Sequence, residues 1–164
     1  MRFPSLRFDI FILSLFVIFL VTTQIQASAS THCPTPAEMK AEHLFGRWTA
    51  QFNTSPPGLP ARATLLLERH AEFSDSLAGT VGRELAAPMG MPLAHAASAA
   101  VAGDFEDGVL VLDESSDRIS ITGTWNAELV QGSCGREFVG HWKDTSKTAP
   151  GDAPDLPFRL TRLP

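Results

Sequence analysis

Between Ile119 and Val130 apolar and polar positions alternate. Ile119, Ile121, Gly123, Trp125, Ala127 and Leu129 fall on one parity; Ser120, Thr122, Thr124, Asn126 and Glu128 fall on the other, and Val130 is the only break. Successive side chains of a strand point to opposite faces, so this stretch predicts a strand with one dry face and one wet face. Shorter runs of the same kind predict seven more strands: Gly46 to Asn53, Ala61 to His70, Leu77 to Glu84, Ala99 to Phe105, Val109 to Glu114, Cys134 to Lys143 and Phe158 to Leu163. In the first, Trp48, Ala50 and Phe52 share a face; in the last, Phe158, Leu160 and Arg162 do. The tryptophans stand in one frame, Gly46-Arg47-Trp48, Gly123-Thr124-Trp125 and Gly140-His141-Trp142, with weaker echoes at Gly79-Thr80-Val81 and Gly103-Asp104-Phe105.

Most connections are short. Glu106-Asp107-Gly108 is a tight hairpin signal. Thr54 to Gly58 is a loop, and two connections are longer: the Pro/Gly/Asp-rich stretch from Asp144 to Pro157, and Leu85 to Ser98, where Pro88, Gly90 and Pro92 interrupt any regular element. Ahead of the first strand, Thr35-Pro36-Ala37-Glu38 carries a cap residue, a proline in the first helical position and a glutamate three residues on, which predicts a short helix reaching about Phe45. Sandwich and barrel both suit eight short strands. The mainly sequential turns favour an antiparallel up-and-down eight-stranded β-barrel, an all-β fold that leaves no open sheet edge.

The chain begins with the pattern of an export signal. Arg2 and Arg7 precede an apolar run from Ile10 to Val21, and Ala27-Ser28-Ala29 is a small-x-small cleavage site. About twelve residues fall short of the roughly twenty that a membrane span needs, so an uncleaved anchor is the minority reading. The expected organisation is a signal peptide at 1–29, a tail with its short helix at 30–45 and the barrel at 46–164. The protein is then exported, periplasmic or secreted, and meets the membrane only transiently through its signal.

Arg2, Arg7 and Asp9 leave with the signal, which takes the net charge from −5 to −6. An acidic chain whose lysines are Lys40, Lys143 and Lys147 alone has no polybasic stretch for phosphates, which argues against nucleic acid. In an oxidising compartment the two cysteines, Cys33 and Cys134, read as one disulfide that ties the N-terminal tail to a strand near the other end of the sequence.

Catalytic chemistry finds little support. The histidines (His32, His43, His70, His95, His141) lack metal-ligand spacing. Asp104, Glu106, Asp107, Asp113 and Glu114 gather on one hairpin without the spacing of a calcium loop, and read as its solvated end. Ser133-Cys134-Gly135 is no nucleophile elbow. No catalytic residue, metal ligand or cofactor is assigned. Asn53-Thr54-Ser55 matches a glycosylation acceptor, a common triplet that a proline here follows.

Gly46-Arg47-Trp48-Thr49 opening the first strand, and Leu160-Thr161-Arg162-Leu163 closing the last, resemble the calycin group of lipocalin-like and avidin-like barrels. The resemblance implies that Gly46, Trp48 and Arg162 form a structural closed end, with the arginine packed across the indole, a contact worth about 0.5–2 kcal/mol. Ala50 stands near the position of a biotin-contacting residue of avidin, the chain has no tyrosine, and the internal lipocalin motif is missing. The likeness therefore implies the fold and not biotin binding. A looser resemblance, to small periplasmic metalloprotease inhibitors, rests on the shared plan of export signal, barrel and single disulfide. It implies that the tail from Ser30 to Pro36 would enter a protease.

The expected function is binding, of a small apolar ligand or of an envelope protein such as a protease. A purely structural envelope role is the third reading. For a ligand in the barrel, Trp125, Trp142 and Phe138 would form walls, and Met89 and Met91 of the long loop an adaptable apolar lining. Mass spectrometry of the mature protein should find a new N-terminus at Ser28 or Ser30; an intact Met1 in a membrane fraction would contradict cleavage.

Overall fold

A strand whose alternate residues are apolar must bury one face, and eight such strands joined in sequence can bury all of them by closing on themselves. The computed structural model describes residues 33–53, 56–92, 94–95 and 98–164 and shows this closure. The strands are β1 (Gly46–Phe52), β2 (Pro60–Arg69), β3 (Leu77–Leu85), β4 (Ala94–His95), β5 (Ala99–Glu106), β6 (Val109–Ser115), β7 (Gly123–Leu129), β8 (Glu137–Asp144) and β9 (Leu156–Arg162). All neighbours are antiparallel; β1 pairs with β9, with Trp48 opposite Arg162, and β2–β3 pairing completes the ring. The two-residue β4 adds only to the end of β3 and stands outside the eight-stranded barrel. The expected signal peptide, residues 30–32, Thr54, Ser55, Leu93, Ala96 and Ala97 lie outside the described residues.

Inward positions follow the parity of the sequence. Trp48, Ala50 and Phe52 on β1, Leu110 and Leu112 on β6, and Leu156, Phe158 and Leu160 on β9 are all buried. The interior is filled by rings: Trp48, Phe52, Phe105, Trp125, Phe138, Trp142 and Phe158 contact one another with centroid separations from 5.1 to 6.4 Å. Edge and tilted contacts dominate, the arrangement that ring quadrupoles favour. At three positions the bend of a strand aims the place of a side chain at its neighbour's backbone, and glycine stands there: Gly79, Gly103 and Gly140. A Cβ on Gly140 of β8 would meet the Asn126 carbonyl oxygen of β7 at 2.0 Å and Ala127 Cα at 2.5 Å, so only glycine fits.

Three expectations are revised. The single helix to Phe45 is replaced by two 3-10 turns, Pro36–Glu38 and Ala41–Leu44, with Met39 and Lys40 extended between them. Met39 and Ala41 are both buried. Positions two apart lie on nearly opposite sides of an α-helix, so a continuous helix could not cover the barrel with both.

The second revision concerns Ile119 to Thr122, which are not strand; β7 begins at Gly123. The Asp117 carboxylate accepts the amide hydrogens of Ser120 (2.8 Å) and Ile119 (2.9 Å), and Arg118 adopts a φ of 61°. This local turn captures donors that a ladder would have used. It leaves Ile119 90% and Ile121 52% exposed. The Ser120 and Ile119 amides hold the Asp117 carboxyl at about 2, below its usual 3.8.

Thirdly, Cys134 precedes its strand. With φ values of 54° at Cys134 and 75° at Gly135 the chain is still turning, and β8 starts at Glu137.

Gly140→Ala should destabilise the fold by about 3 kcal/mol in urea unfolding, because backbone on the neighbouring strand would have to move. Gly82→Ala on β3, where an added Cβ meets nothing within 4 Å, is the control and should leave stability nearly unchanged.

Candidate functional site

The topology gives the barrel two unlike ends. One carries the start of β1, the connections after β2, β5 and β7, and the N-terminal segment. The other carries the connections after β1, β3, β6 and β8, those after β3 and β8 being the longest in the barrel.

At the first end the segment from Cys33 to Phe45 lies across the barrel. A disulfide joins Cys33 to Cys134. Pro36 packs on Gly108 and Met39 on Gly135, at distances a Cβ on either glycine would violate. Trp48 is fully buried and donates its indole N–H to the Leu44 carbonyl (2.7 Å). Arg162 donates to the carbonyls of His43 (2.7 Å) and Phe45 (2.6 Å), and its guanidinium carbon lies 5.7 Å from the Trp48 ring centre. A Cβ on Gly46 would sit 3.5 Å from that guanidinium. The last turn of the N-terminal segment is therefore held by side chains from both ends of the barrel sequence, and this end is closed. Arg159 faces outward and pairs with Glu137. Between the N-terminal turns and the barrel runs a groove of about 400 Å³, lined by Met39, Lys40, Glu42, Asp75, Phe105 and Asp107 among others.

At the second end the core contains a charge. Glu114 is fully buried, not part of a solvated hairpin end. Its Oε2 accepts the indole N–H groups of Trp125 (3.0 Å) and Trp142 (3.1 Å), and its Oε1 pairs with Arg83 Nη2 at 2.8 Å. The Arg83 guanidinium also lies 4.9 Å from the Trp142 ring centre. Arg83 comes from β3 and reaches past β5, whose inward residues beside it are Ala99 and Val101. Gly123 sits beneath the Trp142 indole; a Cβ there would come within 2.7 Å of Nε1. A buried carboxylate is costly unless neutralised and hydrogen-bonded, and here two indoles and a guanidinium supply both. The cluster uses the polar edges of two tryptophans whose faces join the apolar core.

Trp125, Trp142 and Phe138 are thus core residues, occupied with Glu114 or with neighbouring rings. Met89 and Met91 point away from the interior: they are 103% and 66% exposed on the loop after β3. A second groove, of about 440 Å³, lies on the outer face around Gly140, among Asn126, Glu128, His141 and Arg159. No group of three or more His, Cys, Asp or Glu residues able to hold a metal occurs among the described residues. Reasoning from sequence missed Glu114 and Arg83. Their signal was parity: Leu110, Leu112 and Glu114 alternate in phase, as do Leu77, Val81 and Arg83. No protein-family model matches the chain, and no curated protein matches it.

Glu114→Gln should lower stability by about 3–5 kcal/mol, since it leaves the Arg83 charge largely buried without its counter-ion. Arg83→Met combined with Glu114→Gln should recover part of that loss in the same denaturation assay. Full additivity of the two changes would contradict a direct pair.

Proposed function

We propose that this chain is an exported binding protein that engages a protein of the cell envelope through its outer surface, at the closed end, and does not carry a small ligand inside the barrel. The observation that carries this reading is the filled interior. Ligand sites are concave and largely apolar, whereas here seven rings and a buried ion pair occupy the space a barrel ligand would take. The Cys33–Cys134 bridge is compatible with the oxidising compartment that the N-terminal signal pattern suggests. The architecture is consistent with a calycin-like barrel, with Trp48 and Arg162 in the closing role.

The closed end supports recognition in two ways. Its 400 Å³ groove has an apolar floor from Met39 and Phe105 and a rim in which Glu42, Asp75, Glu106 and Asp107 outnumber Lys40, which suits a partner with a basic surface. The disulfide also fixes the base of the N-terminal tail beside that groove. The more specific form of the reading is a protease inhibitor whose tail enters the enzyme, because a rigid barrel can present such a tail but not replace it.

The test is to titrate envelope and secreted metalloproteases with the mature protein and with a variant lacking Ser30 to His32, which keeps the bridge. Inhibition by the intact chain, abolished in the deletion with an unchanged melting temperature, is the result expected of the inhibitor form. Asp75→Lys with Asp107→Lys tests the broader reading, and should weaken capture of a basic partner identified by cross-linking from the groove. Saturable quenching of tryptophan fluorescence by an apolar ligand, unaffected by either change, would contradict both forms.

A further inference from the structure

We propose that the loop-bearing end of the barrel docks on the surface of a lipid bilayer, placing Met89, Met91, Ile119 and Ile121 among the headgroups. These four are 103%, 66%, 90% and 52% exposed. They belong to the loops after β3 and after β6, and both strands end at the same rim. Single exposed apolar residues, such as Phe73 and Leu163 at the opposite end, are ordinary on protein surfaces; four large ones on two loops of one rim are not.

Charge is unevenly divided among the connections of this rim. The connections at 53–59 and 86–98 contain no Asp, Glu, Lys or Arg; His95 is their one titratable residue. In the loop after β6, the Asp117 carboxylate accepts backbone amides, and Arg118 is cationic. The loop after β8 carries Lys147, Asp152 and Asp155, the last paired with Lys143 at 3.6 Å. The charged groups at this end thus belong to the loops after β6 and β8 and to the Arg62–Glu84 pair, while the connection that carries Met89 and Met91 has none to desolvate. Glu42, Glu72, Asp75, Glu106 and Asp107 lie at the opposite end. Strands of seven to ten residues with a rise of about 3.3 Å each put that acidic end roughly 20 Å away. That is beyond the Debye length of about 8 Å at physiological salt, so it does not repel an anionic leaflet.

The barrel lies on the bilayer and does not span it. Its outward positions include Arg47, Gln51, Arg62, Glu68, Asn126, Glu128, His141 and Arg159, where a spanning barrel needs an apolar band. Lipid suits these tips better than a protein partner. Met89 projects entirely into solvent, and neither groove described above includes any of the four residues. Insertion among headgroups needs apolar area and not a complementary shape. Docked this way, the protein would present its closed end to the aqueous compartment.

Sedimentation with vesicles of phosphatidylethanolamine and phosphatidylglycerol, and separately of phosphatidylcholine, tests the proposal. The mature protein should pellet with both. Met89→Asp combined with Ile119→Asp should reduce partitioning by roughly tenfold or more at an unchanged melting temperature. An Ile119→Trp variant should show a blue-shifted emission on vesicles that brominated lipid quenches. Recovery of the protein in the supernatant would overturn the proposal. So would equal pelleting of the double Asp variant, or binding confined to phosphatidylglycerol and abolished by salt, which would mark an electrostatic contact through Arg118 and Lys147. Concentration-dependent dimers lost in the double Asp variant, without vesicle binding, would overturn it in favour of a second copy of this chain.

Discussion

A closed barrel of eight strands has an interior that must be occupied, and the volume of its inward side chains decides what else the molecule can do. Here the three tryptophans and four phenylalanines Phe52, Phe105, Phe138 and Phe158 occupy it. On β8 glycine is required at Gly140, where a Cβ would strike the backbone of β7. On the proposed binding function, this filling leaves the ends and the outside for recognition.

Each end is sealed by the same chemistry in a different setting. At the closed end Arg162 lies over Trp48 and ties down backbone carbonyls of the N-terminal segment, so its charge is spread over hydrogen bonds near solvent. At the loop-bearing end Arg83 lies over Trp142 and meets a carboxylate with no solvent exposure. The first arrangement couples the termini of the barrel sequence to the segment that leads to Cys33. The second ties β3 to β6, β7 and β8 across the mouth, the end that carries the two longest connections, after β3 and β8. A buried ion pair contributes little net stability over an apolar substitute, but breaking one side of it is costly, so it favours one register.

The fold was legible because the alternation is clean and the turns are short. The inward parity of Trp48, Ala50 and Phe52, and of Phe158 and Leu160, could be read directly. Alternation failed at Ile119 and Ile121, where a continued pattern met an aspartate able to bind its own backbone; local turn chemistry won over periodicity. A helix start was visible at Thr35 and Pro36, and Glu38 does bond back to Thr35. What ended that helix, the need to bury Met39 and Ala41 together, was tertiary and invisible in the chain. Glu114 was hidden by its chemistry: an acidic residue beside Asp113 reads as surface until its parity is weighed against its charge. Arg83 shares the inward parity of Leu77 and Val81, but nothing near it in the chain names Glu114 as its partner. Met89 and Met91, flanked by prolines and without period, gave no basis for telling interior from exterior.

The central claim is that the barrel is full. Fluorine NMR of protein carrying fluorotryptophan at Trp48, Trp125 and Trp142 tests it most directly, with xenon and then fatty acids or other apolar ligands added. The account predicts three resonances that keep their positions throughout, because the rings pack on one another and on the Glu114–Arg83 pair. A saturable shift of the Trp125 or Trp142 resonance would contradict it, by revealing a cavity next to Glu114 that a ligand can enter.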